Sequence, residues 1–544
     1  MNQLYTKRSE NLKNGRKCNY PRPQLKRESF LSLDGIWELY ADGEKYDILV
    51  PFCVESALSG VNKSFASGLF CYKKHFVLPN GFNKGRVLIH FGAVDQKCTL
   101  LINGREVGEH TGGYNAFSFD ITDYIEKENE ITLFVTDTLD LTLPYGKQKK
   151  KRGGMWYTPV SGIWQSVWLE SVPKEYIKDI KIDVTLNSAL ITLYGVDFGE
   201  VVFNGKAYPI IDGKVNITVS NPVNWTPETP QLYEFTVKAG EDEVQSYFAL
   251  RTLEIKGNEL LLNGKPYFFN GLLDQGYFPD GIYTPADEEE YKDDILKMKS
   301  LGFNMLRKHI KVEPEAFYYY CDKYGMAVFQ DMVNNGKYSF IRDTALPTVG
   351  IQRLNDKFTH RNKKARQSFI SGMESTVKQL YNHPCIVEWT IFNEGWGQFC
   401  ADSMYLKMKE LDSSRFIDSA SGWFKAKNND FDSAHIYFKK LKAKKGDKPV
   451  FISEFGGYSY KIEEHSFNNE NTYGYGKFAR REDFVKALQS LYSDLFALKE
   501  KGLCAAVYTQ VSDVEDETNG LLTYDRKVMK ILPEEIKHVM EKLY

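Results

Sequence analysis

The chain has 544 residues, enough for three or four domains, and its 42% apolar and 26% charged residues describe a folded protein rather than a disordered one. The formal net charge of -2 provides no basic field to hold a phosphate backbone, which excludes nucleic acid as the expected partner. Aromatics reach 14%, a richness that suits β-sheet surfaces and sugar-stacking sites equally and so decides nothing alone.

Residues 1–27 are polar and interrupted by charge, with no apolar core of the kind a signal peptide needs. From there to about residue 172 the pattern is one of short alternating runs, at 35–40, 72–78, 86–91, 98–102 and 131–135, separated by turn residues. Asn103-Gly104 between two runs is a strong hairpin signal. Many short strands with almost no helical periodicity predict an N-terminal, jelly-roll-like β-sandwich over residues 1–172. Lys147 and Lys149-Lys150-Lys151-Arg152 form a basic run that reads as a solvated sandwich loop. Residues 173–252 continue in the same grammar, with Asn204-Gly205 and Asp212-Gly213 as punctuation, and their size and strand spacing suit an immunoglobulin-like β-sandwich.

After Arg251 the grammar changes to strand, loop, helix. Apolar strands are predicted at 267–272, 304–307, 326–330, 386–393, 416–419, 433–437, 450–453 and 505–510. Helices are predicted at 287–301, 313–324, 363–380, 400–411, 481–501 and 533–543. Eight strands with intervening helices over residues 253–544 predict a C-terminal (β/α)8 TIM barrel, so the fold class is multidomain, β plus α/β. The connection between the fifth and sixth strands is short for a helix.

The eight cysteines (Cys18, Cys53, Cys71, Cys98, Cys321, Cys385, Cys400, Cys504) are scattered, with no C-x-x-C pair and no zinc-finger spacing. They read as buried thiols of a reducing compartment. No run of eighteen or more apolar residues offers a membrane span, so the expectation is a cytoplasmic protein with no membrane partner.

A barrel carries its working residues at the C-terminal ends of its strands. Two glutamates stand there, Glu394 after the fourth predicted strand and Glu454 after the seventh, each close to glycines that let the chain turn out of the strand. One glutamate at such a junction reads as a surface charge or a salt bridge. Two of them read as the carboxyl pair that glycoside hydrolysis needs, one to protonate the leaving oxygen and one to handle the anomeric carbon. The rival chemistries lack their motifs: there is no H-x-H or H-E-x-x-H for a metal hydrolase and no G-x-S-x-G for a serine hydrolase. Gly395-Trp396-Gly397 lacks the third glycine of a dinucleotide fingerprint. A non-catalytic carbohydrate-binding protein is the remaining alternative.

The segment Asn382-His383-Pro384-Cys385-Ile386-Val387-Glu388-Trp389-Thr390-Ile391-Phe392-Asn393-Glu394-Gly395-Trp396-Gly397 resembles the acid/base signature of glycoside hydrolase family 2, the β-galactosidase, β-glucuronidase and β-mannosidase family. The resemblance runs along nearly the whole chain. Leu31-Ser32-Leu33-Asp34-Gly35-Ile36-Trp37 is similar to the start of the family's sugar-binding sandwich, and Ser161-Gly162-Ile163-Trp164 to its end. Trp225-Thr226-Pro227-Glu228 resembles the middle domain, and Leu262-Asn263-Gly264-Lys265-Pro266 the lead-in to the barrel.

The resemblance implies a retaining exo-β-glycosidase with a carbohydrate substrate, Glu394 as acid/base and Glu454 as nucleophile. It implies that Tyr437 donates to the nucleophile, that Arg307 keeps it charged and that Asn393 holds the sugar 2-hydroxyl. Bland readings stand beside these: Arg307 paired with Asp331, and Tyr437 as a core aromatic. His309 is a further substrate contact, although the family spacing from this arginine to its histidine is one residue longer. His383 reads as structural. Asp274, Asp331, Trp423, Gln510, Asp513 and Glu515 lie near predicted strand ends as binding candidates, with Trp423 or Tyr508 to stack on a sugar and Asp95 to reach in from the sandwich. β-Galactosides are the expected substrate, with β-glucuronides next and β-mannosides or arabinosides behind. No cofactor is expected. A Mg2+ or Na+ ion has no supporting motif, and a homo-oligomer is left open.

Overall fold

The computed structural model describes residues 2–14, 19–348, 351, 355–437, 439–442 and 446–544; Cys18 lies outside them. The first domain packs a six-stranded antiparallel sheet, in the order Glu44–Val50, Gly35–Ala41, Leu69–Phe76, Asn129–Thr136, Lys97–Ile102 and Arg105–Thr111, against a four-stranded one. Trp37, Leu39, Tyr72, Leu100 and Leu133 of the larger sheet share one core with Val87, Ile89, Phe91, Val167 and Leu169 of the smaller. Alternation along strands such as Gly35–Ala41 and Lys97–Ile102 drives this in the larger sheet, whereas Val167–Val172 of the smaller sheet is buried at every position. Asn103 and Gly104 take φ of 52° and 74°, the left-handed pair that a two-residue hairpin requires, and they join Ile102 to Arg105.

The second domain is a smaller sandwich of three- and four-stranded antiparallel sheets around Ile182, Ile191, Val201, Ile217, Phe235 and Val244. Its Asn204-Gly205 and Asp212-Gly213 turns also have positive φ at both positions. Of the chain ahead of the first sandwich, Tyr20, Arg22 and Arg27 bind Glu170 of its smaller sheet, while the first residues form a separate arm. Thr6 donates to Asp280 and Glu290, and Arg8 pairs with Asp293, so this arm is strapped to the barrel.

The barrel strands are β1 Phe269–Asp274, β2 Met305–Lys308, β3 Ala327–Asp331, β4 Ile386–Thr390, β5 Phe416–Asp418, β6 Asp432–Ile436, β7 Val450–Phe455 and β8 Leu503–Tyr508. All pair in parallel, in the circular order β5-β4-β3-β2-β1-β8-β7-β6. No ladder joins β5 to β6 among the described residues, and no helix lies between them. The short connection read from the sequence leaves that seam open. The surrounding helices are α1 Glu289–Ser300, α2 Glu315–Tyr324, α3 Lys363–Leu380, α4 Ala401–Leu411, α5 Arg481–Lys499 and α6 Pro533–Met540. In α3, Asn362 caps the first turn through the Ala365 N–H at 3.1 Å, and Phe369, Met373, Val377 and Leu380 turn one apolar stripe to the core. Tyr145, Trp156, Tyr157 and Trp164 of the first sandwich belong to the same buried cluster as the barrel core, so the two domains are packed as one body.

Seven cysteines are free thiols; Cys71 and Cys400 are only half-buried, unlike the rest. Among the described residues no helix is long and apolar enough to cross a membrane.

Candidate active site

The mouth of the barrel is shaped by register slips. The pairing of β6 with β7 shifts between Ala434 and His435, setting His435 opposite Glu454. The pairing of β7 with β8 shifts between Ile452 and Phe455, so Ser453 and Glu454 stand in a bulge. A bulge re-aims a side chain that strict alternation would turn elsewhere. Glu454 therefore lies inside β7, where the sequence had placed it just beyond the strand. Glu394 is the reverse case: β4 ends at Thr390, three residues before the expected Asn393, and Glu394 sits in a tight turn with φ of 53°. Its N–H donates to the Ser421 carbonyl at 2.9 Å, which holds this left-handed residue in place. Gly395 follows, also left-handed, and a Cβ there would lie 2.1 Å from the Phe424 ring.

One carboxyl oxygen of Glu394, one of Glu454 and a ring nitrogen of His435 all lie within 4.8 Å of one another. Arg307, wholly buried at the end of β2, organises the Glu454 side. Its Nη1 donates to Glu454 Oε1 at 3.3 Å and to the Ser453 carbonyl at 3.0 Å, capping the bulge. Its Nη2 donates to Asn393 Oδ1 at 2.9 Å, and its Nε to Asp331 Oδ1 at 2.9 Å. Tyr437 donates its hydroxyl to Glu454 Oε2. His435 Nδ1 lies 2.9 Å from Glu394 Oε1 and 3.5 Å from Glu454 Oε2.

The electrostatics follow from these contacts. Burial works to raise the Glu454 carboxyl, but His435, Arg307 and His309, with the Tyr437 hydrogen bond, bring it below the ordinary carboxylate value. Burial works against the Arg307 charge, and Asp331 and Glu454 more than restore it. Tyr437 is pushed well above the usual phenol by burial and by the Glu454 carboxylate, so it keeps its proton and remains a donor. His309 is lowered by burial, and its Nδ1 meets Asp331 Oδ2 at 2.7 Å.

Arg307 thus makes both contacts that sequence reasoning weighed against each other, the pair with Asp331 and the contact with Glu454. Asp331 spends both oxygens on Arg307 and His309 and acts as a brace between them. Trp423 is half-buried in the mouth, its ring 5.4 Å from that of His435. Other candidates are drawn away. Asp274 pairs with Lys308 at 2.6 Å, in a buried network with Glu313. Gln510 is wholly buried and donates to Glu517 and Asn519. Asp513 pairs with Lys530, Glu515 with Arg152, and Asp95 takes a hydrogen bond from Gln148 at 2.8 Å. Tyr508 does not face the mouth: it packs between Phe455 and Tyr492 with its hydroxyl accepting from the Tyr458 N–H, so the stacking role expected of it fails. His383 is structural, 2.6 Å from Asp322.

Sequence reasoning missed three side chains. His435 lay two residues before Tyr437 on a strand already identified, but only the bulge turns it onto both glutamates. Tyr475 stacks on Tyr437 with ring centroids 4.1 Å apart. Lys147 was read as part of a solvated loop and is in fact only 9% exposed. Among the described residues the Glu394, His435 and Glu454 trio is the one grouping with metal-ligand geometry. A cation seated there would occupy both carboxylates and compete with their proton chemistry.

Two sandwiches ahead of an eight-stranded parallel barrel, with facing carboxylates at its mouth, define the class as a barrel protein with a two-carboxylate site. Residues 253–542 match the family model described as Glycosyl hydrolases family 2, TIM barrel domain. Residues 23–173 match that family's sugar binding domain, and residues 172–251 match Glycosyl hydrolases family 2. The chain belongs to glycosyl hydrolase family 2. It is 28% identical over 353 residues to a protein named beta-galactosidase from Thermoanaerobacter pseudethanolicus, covering 59% of this chain and 44% of that protein. It is 25% identical over 354 residues to a putative beta-glucuronidase from Formosa agariphila, covering 59% of this chain and 39% of that protein. The chain thus spans less than half the length of these curated relatives. A solved beta-glucuronidase from an uncultured Clostridium sp. shares the fold with a TM-score of 0.77 at 19% identity, over 97% of this chain and 99% of that one.

Proposed function

We propose that the protein is a retaining exo-β-glycosidase that removes a terminal β-linked sugar by double displacement. Glu454 attacks the anomeric carbon while Glu394 gives its proton to the departing glycosidic oxygen, leaving the sugar as an ester of Glu454. Glu394 then takes a proton from water, the water oxygen attacks the same carbon, and Glu454 leaves as the carboxylate. The observation that carries this reading is the spacing: an oxygen of one carboxyl lies within 4.8 Å of an oxygen of the other, near the roughly 5 Å of retaining enzymes and short of the roughly 6.5–9.5 Å that seats an attacking water in inverting ones.

The asymmetry of partners assigns the roles. A nucleophile must stay ionised, and Glu454 has Arg307, Tyr437 and His435 around it. An acid/base must exchange protons with water, and the Glu394 side chain is 19% exposed against 6% for Glu454. Asn393, oriented by Arg307, supports a contact to the sugar 2-hydroxyl. β-Galactosides are the first substrates to test, given the name of the 28% identical relative, and β-glucuronides the second.

The decisive experiment treats Glu394→Ala with azide and an aryl β-glycoside bearing a good leaving group. Turnover should recover and give a β-glycosyl azide. An α-azide, or sugar binding by wild type with no turnover of any glycoside, would overturn the reading, the latter in favour of a carbohydrate-binding protein.

A further inference from the structure

We propose that Lys147 and Glu517, brought to the mouth by different domains, select the terminal sugar by gripping two of its neighbouring hydroxyls between them. The proposal rests on the glycosidase reading and names what that site accepts.

Lys147 belongs to the first sandwich, in a connection anchored on the barrel. The Tyr145 N–H donates to the Asn334 carbonyl at 3.0 Å, and the Lys147 carbonyl accepts from Tyr157 N–H at 3.0 Å. Its ammonium stands 6.0 Å from the centre of the Trp156 ring and has no hydrogen-bond or ion-pair partner among the described residues. The side chain is largely buried while its unpaired Nζ keeps some access to solvent, which leaves the ammonium open to a ligand. Glu517 is 5% exposed, on the stretch that follows β8. Its Oε2 accepts from the Tyr157 hydroxyl and from Gln510 Nε2 at 3.1 Å, while Oε1 accepts from no described residue. Tyr157 therefore holds both residues, one through its main chain and the other through its hydroxyl.

The two groups are more than 4.0 Å apart, since they form no ion pair; burial pushes the Glu517 carboxyl up to about 7, and the Lys147 ammonium works to lower it. Chains of contact lead from both to the proposed reaction centre. Tyr437, the donor to Glu454, lies 3.0 Å from Thr509 Oγ1, and the next residue, Gln510, donates to Glu517; on the other side Lys147 stands by Trp156, whose ring centre is 5.0 Å from that of Trp396, two residues past Glu394. The gap thus lies beside the two glutamates, where a sugar held by them would present its ring. A hydroxyl both donates and accepts. One hydroxyl giving its proton to Glu517 and its neighbour accepting from Lys147 would pair both charges at once. A carboxylate or sulfate on the sugar would satisfy Lys147 but would set a second anion against Glu517, so the pair favours a neutral sugar.

The test compares wild type, Lys147→Met and Glu517→Gln on aryl β-galactosides, aryl β-glucuronides and the monodeoxy analogues of the better neutral substrate. Each variant is expected to lose about 100-fold in kcat/KM on the neutral substrate, as for a sugar hydroxyl left without its buried partner. That loss should shrink to about threefold on the analogue lacking the gripped hydroxyl. Lys147→Met removes an unpaired charge from a largely buried side chain, so its Tm should be equal or higher, which separates binding from folding. Equal losses on every deoxy analogue would overturn the proposal. So would a wild type that prefers the glucuronide and loses it in Lys147→Met, the result of Lys147 reading an anion. Turnover of no glycoside by wild type, with no covalent labelling of Glu454 by a 2-deoxy-2-fluoro glycoside, would instead bring down the glycosidase reading and this proposal with it.

Discussion

The two walls of the barrel mouth are built on opposite principles. On the β7 wall, Glu454 is part of a strand, set in a bulge whose carbonyl is capped by Arg307, and it faces Arg307, Tyr437 and His435. On the β4 wall, Glu394 is outside the strand, in a left-handed turn, with His435 as its close side-chain partner and part of its surface open. The first arrangement favours the carboxylate; the second leaves the Glu394 side chain 19% exposed, as the proposed acid/base role needs. Two identical side chains thus have different surroundings, set by backbone position and neighbours alone.

The largest test of that contrast is Glu454→Gln, expected to lower kcat/KM by at least about 10^4-fold, beyond the usual 10^2–10^4 of a general acid. Circular dichroism should remain as in wild type; activity near normal would erase the distinction between the walls. Glu394→Ala should cost about 10^2–10^4-fold on glycosides with poor leaving groups and far less where the leaving group needs no proton, which steady-state rates across a series of aryl leaving groups will read.

Tyr437→Phe should cost about 10^2–10^3-fold, as for loss of one preorganised donor. It should also move the acid limb of the kcat/KM profile. Glu454 is held below the ordinary carboxylate value partly by that hydroxyl, and removing a donor to the charged form raises the pKa, so the limb shifts to higher pH. A limb that stays in place, or moves down, would show that Tyr437 does not share in holding the charge.

The smallest effect lies away from both walls. Burial pushes Glu55 in the first sandwich up to about 8, and Glu290 in α1 also to about 8, from an ordinary value near 4.5. In that range the folded chain holds more protons than the unfolded one, so stability falls as pH rises. Half-buried histidines such as His110 and His360, lowered to about 4 by desolvation, oppose this only up to about 6.5, the ordinary histidine value. Between about pH 6.5 and 8 the carboxyls act alone, costing on the order of 2 kcal/mol for Glu55. Tm measured across that window should fall, and Glu55→Gln should flatten the decline; a rising Tm would refute the assignment.

Patterning along the chain was enough to locate two sandwiches and an eight-stranded barrel, because period-2 alternation, Asn-Gly turns and amphipathic helices are local consequences of local residues. Glu394 and Glu454 were legible for a related reason: parallel strands of a barrel deliver their C-terminal ends to one rim wherever they fall in the chain. Arg307 and Tyr437 came from the family resemblance. What local pattern could not supply was anything set by register or by a second domain. His435 meets both glutamates only because β6 and β7 slip past each other by a residue. Asp274 and Gln510, at strand ends like the others, are claimed by Lys308 and by Glu517, and Tyr508 faces the wrong side of β8. Lys147 looked like one more lysine in a basic loop, and only the docking of the sandwich on the barrel buries it. Elements follow from the sequence of neighbours along the chain; the charge state and company of each side chain follow from neighbours across space, and those are decided when the domains pack.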